Sequence, residues 1–249
     1  MLSAGQWGAL FNIVVMLGLP LGVFLALCLR PSWRYYLPSY LFGALTFLAF
    51  QVLLRLPLLQ LLNTNPGFIL FQRTRPIFYF LFLGLSAGLF EELGRYIVMR
   101  LLMKKHHALP DGIAFGIGHG GLEAMLIGIN SVYLLVTGLG LLGLGFAEVS
   151  MAGVERLLTL CFHMGASVMV MQAVVQKKPL WLAFAILLHT AVDTGIGILQ
   201  YAGVSAWIIE GYIAIFSVSM LLYTIALWRM WKSMYAISPP APPSGSPTP

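Results

Sequence analysis

Glu91 and Glu92 stand side by side deep inside an apolar run, PIFYFLFLGLSAGLFEELGRYIVMRLLM, residues 76–103. Acidic side chains near the middle of a membrane are expensive, about 2.5–3.5 kcal/mol each on insertion scales. Two in a row must face protein or water. The chain has eight Asp and Glu in all, so their placement carries much of its chemistry. Arg95 lies three and four residues on, within reach of both carboxylates on one helix face. His119 and Glu123 repeat the i,i+4 spacing, as do His189 and Asp193, and Arg156 and His163 are seven apart. Together these residues could activate water. A carboxylate can take its proton, and a neutral imidazole can position the water or donate to a developing oxyanion. Asp193, one turn from His189, is expected to fix the tautomer of that ring. The competing arrangement is a zinc ion bound by His119, His163 or His189 with carboxylates. The HExxH spacing is absent, and i,i+4 pairs serve a metal or a hydrogen bond equally well.

The elements that must hold these residues are helices in a bilayer. The chain is 59% hydrophobic and 9% charged, with mean hydropathy +0.90. A soluble domain carries roughly 25% charged residues. Seven runs reach the ~20 apolar residues a span needs. They cover residues 6–29, 37–62, 76–103, 112–137, 151–175, 179–200 and 207–231. The expected fold is all-α, a polytopic bundle of about seven transmembrane helices around a buried polar cavity. At 1.5 Å per residue, Glu91 and Glu92 lie ~16–18 Å from one end of their helix, Glu123 ~16 Å, His189 ~15 Å and His163 ~18 Å. His119 lies somewhat shallower and Asp193 deeper, so four helices bring ionisable groups to one layer. Glu148, Glu155 and Arg156 are expected nearer the outer surface, and His106 and His107 in a basic interfacial loop. Gly84 and Gly88, and Gly112, Gly116 and Gly120, recur every fourth residue and read as close helix packing.

Residues 1–232 form one expected domain, with a catalytic-like core at 76–200. The Pro- and Ser-rich tail, 233–249, is expected to be disordered. Arg55 and Pro57 suggest a kink or early end in the second run. Residues 63–75 read as a loop whose FILF stretch lies in the interface, and the glycine-rich 138–150 as a flexible or re-entrant connector. Cys28 and Cys161 fall at different depths, so no disulfide is expected. No basic residue precedes Arg30, so the first run is expected to stay as an anchor. The net charge of +6 clusters at the ends of apolar runs, which is topology information and not a nucleic-acid signal. The excess of Lys and Arg on alternate connections places the N-terminus outside and the C-terminus in the cytoplasm of a multi-pass membrane protein. The expected partners are the lipid bilayer and a membrane-embedded protein or peptide.

The strings FGIGHGGLEA (115–124), ERLLTLCFH (155–163) and LLHTAVD (187–193) resemble the YhfC family of intramembrane proteases. Glu91-Glu92-x2-Arg95, Phe115-x3-His119 and His189-x3-Asp193 resemble the three motifs of the wider CPBP superfamily. The resemblance spans roughly residues 76–200. It implies an intramembrane endopeptidase of glutamate type, with Glu91 as base, Glu92 and Arg95 supporting it, and His119, His189 and Asp193 completing the catalytic set. Glu123 and His163 are supporting residues. The first motif has two residues before Arg95 where the CAAX-type enzymes have three, so either glutamate could be the base. The resemblance leaves metal and glutamic chemistry both open. The other classes are a non-catalytic scaffold, as in the structural subunit of a membrane protease complex, and a proton- or ion-coupled transporter.

Overall fold

The computed structural model describes residues 2–141 and 143–237. Among them the regular structure is all helical. Seven helices are long and apolar enough to cross a membrane: α1 (Ala4–Leu29), α2 (Arg34–Leu62), α4 (Pro76–Leu101), α5 (Leu109–Thr137), α6 (Phe146–Gln176), α7 (Pro179–Tyr201) and α8 (Ala206–Ile237). A short helix, α3 (Pro66–Thr74), joins α2 to α4. The expected polytopic bundle is therefore present, with each span within a few residues of its apolar run. The tail expected to be disordered began at residue 233, but α8 continues through Ile237, and residues 238–249 lie outside the described residues.

Helix starts follow from local chemistry. Proline stands in the first turn of α3, α4, α5 and α7, where its missing N–H costs nothing. The FILF stretch expected as a loop is helical. The Asn65 side chain accepts from Gly67 N at 2.8 Å and Phe68 N at 3.2 Å, and Pro66 supplies a preset φ. Phe68 then packs on Tyr79 and Phe82 of α4. The second span neither ends nor breaks at Pro57. Residues Phe47–Arg55 wind in wide π turns, and the helix continues beyond them. Gly138, Gly140 and Gly143 adopt positive φ in the turns between α5 and α6, and α6 begins at Phe146. Leu141 is buried there against Ala9 and Val149, so the turn is packed onto α1. Both cysteines are free thiols.

Glycines decide how closely the spans approach. A Cβ at Gly88 would come within 2.9 Å of Thr190 Oγ1, and one at Gly84 within 2.8 Å of Thr190 O, so α4 and α7 lie backbone to backbone. Gly43 of α2 and Gly118 of α5 abut the backbone of Phe115 and Tyr40 in the same way. Gly120 leaves room for the His163 ring, whose Cδ2 a Cβ would meet at 2.9 Å. α6 is the central helix, buried along most of its length against α1, α4, α5, α7 and α8. Leucines such as Leu53 and Leu61 point outward, as lipid-facing surface requires.

Candidate functional site

Close packing of α4, α5, α6 and α7 brings the expected layer together. Glu91, Glu92, Arg95, His119, His163 and His189 are all buried. Arg95 is the hub. Its Nη1 pairs with Glu92 Oε1, and its Nη2 donates to His163 Nδ1 at 2.8 Å and lies 3.4 Å from Glu91 Oε2. His189 Nδ1 lies 2.7 Å from Glu92 Oε1, and His119 Nε2 lies 2.9 Å from Glu91 Oε2. His163 Nε2 lies 2.6 Å from Glu123 Oε2. Phe47 meets the His119 ring edge-on, and Phe162 does the same to His163 and His189.

These contacts set the ring tautomers. Ionised carboxylates only accept, and a guanidinium only donates. His189 therefore carries its proton on Nδ1. Its Nε2 faces Glu91 Oε2 and Asp193 Oδ2, each 3.9 Å away. His163 accepts at Nδ1 from Arg95 and donates from Nε2 to Glu123. The partner that orients His189 is Glu92, not Asp193 as the i,i+4 spacing suggested. At 3.9 Å there is no hydrogen bond along that pair. Asp193 makes none to any described residue. Glu92 Oε2 and His119 Nδ1 are buried without a partner.

A cavity of about 110 Å³ borders the layer. Its lining includes Gln51, Glu91, Glu123, Arg156, His163, His189 and Asp193. Arg156 is thus a site residue and not a group at the outer surface. It reaches Glu123 Oε1 at 2.5 Å and also pairs with Glu155. Its seven-residue spacing to His163 was the available signal, because two turns of helix return to one face. Glu148 instead caps the start of α6 through Gly145 N at 2.6 Å. Gln51 was not foreseen: it is neutral, and nothing in the sequence pairs it with the ionisable set.

The donor set fits a metal. Glu91, His119 and His163 each offer a ligand atom, all within 4.8 Å of one another and all buried. One carboxylate oxygen and imidazole nitrogens suit zinc. A metal-binding imidazole commonly has a carboxylate behind its far nitrogen, and Glu123 and Glu92 occupy those places for His163 and His189.

Residues 15–145 and 137–213 match the family model described as "YhfC intramembrane metalloprotease". The chain belongs to the YhfC family. It is also 34% identical over 217 residues to the "Uncharacterized membrane protein YhfC" of Bacillus subtilis (strain 168), covering 73% of this chain and 82% of that protein. No solved structure matches. Membership corrects one expectation. The family is described as metalloproteases, which overturns the glutamate-type reading in which a carboxylate, Glu91 supported by Glu92 and Arg95, activates the water. The scaffold and transporter alternatives are not favoured either. The multi-pass membrane character agrees with the seven spans.

Proposed function

We propose that this YhfC-family chain is a metal-dependent intramembrane endopeptidase, acting on a membrane-embedded or membrane-anchored protein. The observation that carries this reading is the buried donor group Glu91, His119 and His163 at the edge of a polar cavity. Those three residues would hold the ion, His163 through the Nδ1 that Arg95 would have to release, with His189 Nε2 beside Glu91. When bound, a divalent ion polarises a carbonyl and makes water a nucleophile at neutral pH.

The chain's own residues do the rest. Glu92 orients the His189 ring so that its Nε2 faces the cavity, and Glu123 fixes the His163 ring from its Nε2 side. Arg95 ties Glu92 and His163 together and balances the buried carboxylates. Asp193 is the most exposed cavity acid, at 37% of its side chain, against 5% for Glu91 and 20% for Glu123. Having no hydrogen-bond partner, it is placed to take a proton from water at Oδ2 and pass it to the leaving amine. In the same reading, the CPBP superfamily is the wider group of this chain, and the end of the bundle carrying Arg100, Lys104, Lys177 and Lys178 faces the cytoplasm.

The test is cleavage of a panel of single-span membrane proteins by purified protein, with metal content measured on the same sample. Zinc-loaded wild type is expected to cleave at least one of them. His119→Ala and His163→Ala are expected to lose metal and cleavage together. Full activity in metal-free protein, or equal cleavage by the variants, overturns the assignment.

A further inference from the structure

We propose that Gln51 binds the backbone carbonyl of an unwound substrate segment, and that Arg55 is the positioning residue that aims it. The proposal rests on the peptidase reading and names what the cavity recognises. Arg55 is buried in a membrane span, which is costly unless its donors are used. All three of its donor nitrogens are used. Nε donates to Ser86 Oγ at 3.1 Å, Nη2 to Leu83 O at 2.8 Å, and Nη1 to Gln51 Oε1 at 3.2 Å. Two of those bonds anchor Arg55 to α4, one to two turns before Glu91. The third decides which way the Gln51 amide points. A guanidinium has no lone pair to offer, so the amide oxygen must face Arg55. Nε2 is then the free end, and it makes no hydrogen bond to any described residue.

Gln51 lines the same cavity as Glu91, His189 and Asp193. Of the other donors there, His189 Nε2 faces the Glu91 and Asp193 carboxylates, and Ser217 Oγ is a hydroxyl that no neighbouring side chain orients. Arg156 is spent on Glu123 and Glu155, and His163 Nε2 donates to Glu123. The cavity is thus rich in acceptors, with Gln51 Nε2 as a neutral amide donor held at its wall. An extended peptide presents both N–H donors and C=O acceptors along its backbone. The middle of a helix presents neither, because only the groups at its ends lack partners within it. Acceptors for N–H and one aimed donor for C=O suit a span whose helix has opened. The wide π turns of Phe47–Arg55 also fit this role, since such turns recur at functional sites.

Two variants separate this role from a structural one. Gln51→Glu keeps an oxygen for Arg55 and removes the donor, whereas Gln51→Met removes both. Both are expected to lose about 100-fold in kcat/KM, the scale for one backbone-oxygen donor, with unfolding temperature unchanged for Gln51→Glu. Arg55→Met is expected to lower activity, with partial rescue in Arg55→Lys. Activity of Gln51→Glu within threefold of wild type overturns the proposal. A second measurement does not need cleavage. Gln51→Cys, in a background lacking Cys28 and Cys161, is challenged with single-cysteine Leu-Ala transmembrane peptides. One peptide is unbroken and one carries a central Gly-Pro break. Disulfide trapping at the break alone is expected. Equal trapping of both peptides, or none, overturns it. Trapping at the break without cleavage by wild type overturns the peptidase reading and keeps Gln51 as a peptide contact.

Discussion

The bundle holds two buried clusters that pair a carboxylate with histidine, and they are built to opposite ends. At the start of α5, the fully buried Asp111 has every near donor matched to an oxygen. Oδ1 takes the Ser39 hydroxyl at 2.7 Å and faces His106 Nδ1 at 3.1 Å, and Oδ2 takes Ala108 N at 3.1 Å. This is a helix start tied to α2 and to the preceding loop. In the central layer the same residue types leave atoms over. Glu92 Oε2, His119 Nδ1 and Arg95 Nε are buried without partners, and Asp193, with no hydrogen bond to any described residue, lines a cavity with Glu91 and His189. A buried carboxylate beside an imidazole is therefore not in itself a functional signal. Unpartnered polar atoms in a layer that borders a cavity are.

The largest expected effect breaks that comparison or confirms it. Glu91→Gln and His119→Ala are expected to reduce cleavage by at least about 10³-fold, roughly 4 kcal/mol of barrier. Asp111→Asn, measured in the same assay, should stay within a few-fold of wild type. Comparable losses in both clusters would erase the distinction. Metal is the next lever. At free zinc about 100-fold above Kd, a site that binds only the folded state adds about 2.7 kcal/mol of stability. Wild type and Asp111→Asn should both show that rise on titration of the stripped protein, while His119→Ala should not. Stability should respond in the opposite order to Asp111→Ala. That change strands the Ala108 N–H and the Ser39 hydroxyl inside the protein, at about 1–3 kcal/mol per unsatisfied group. Thermal unfolding in detergent should show it, with kcat of the surviving folded fraction unaltered.

Much of this was legible before the structure. Seven apolar runs longer than a bilayer needs are a strong signal, and depth counting found the layer because helical rise is constant. What counting could not supply was the pairing between helices. His189 looked toward Asp193, its neighbour on the same helix, yet it bonds to Glu92 across the α4–α7 contact that Gly84 and Gly88 bring close. Arg156 sat near a helix end by position, yet it turns inward to Glu123. Gln51 carries no charge to mark its cost in a membrane. Its one signal was Arg55 four residues on, which read as a kink. Asp111 drew no reading of its own from the sequence, because Ser39 lies 72 positions away. The donor set served water or zinc equally, so family membership decided the class of chemistry.

The smallest expected effect tests how complete the Asp111 cluster is. Ser39→Ala removes one of three donors and leaves His106 and Ala108 N in place. The methyl fits where the hydroxymethyl stood, so no cavity of consequence forms. Asp111 Oδ1 keeps the His106 contact, so no acceptor is stranded, and the expected loss is that of one ordinary hydrogen bond, about 1 kcal/mol. In a double-mutant cycle with Asp111→Asn, the coupling should be of the same size, because the two residues meet directly. A loss above about 3 kcal/mol would mean that Ser39 holds α2 against α5 by more than this bond. Gly43 and Gly118, which set that helix contact, would then be where to look. A drop in cleavage with stability intact would mean that the two clusters communicate along α5, which carries Asp111 at its start and His119 two turns on.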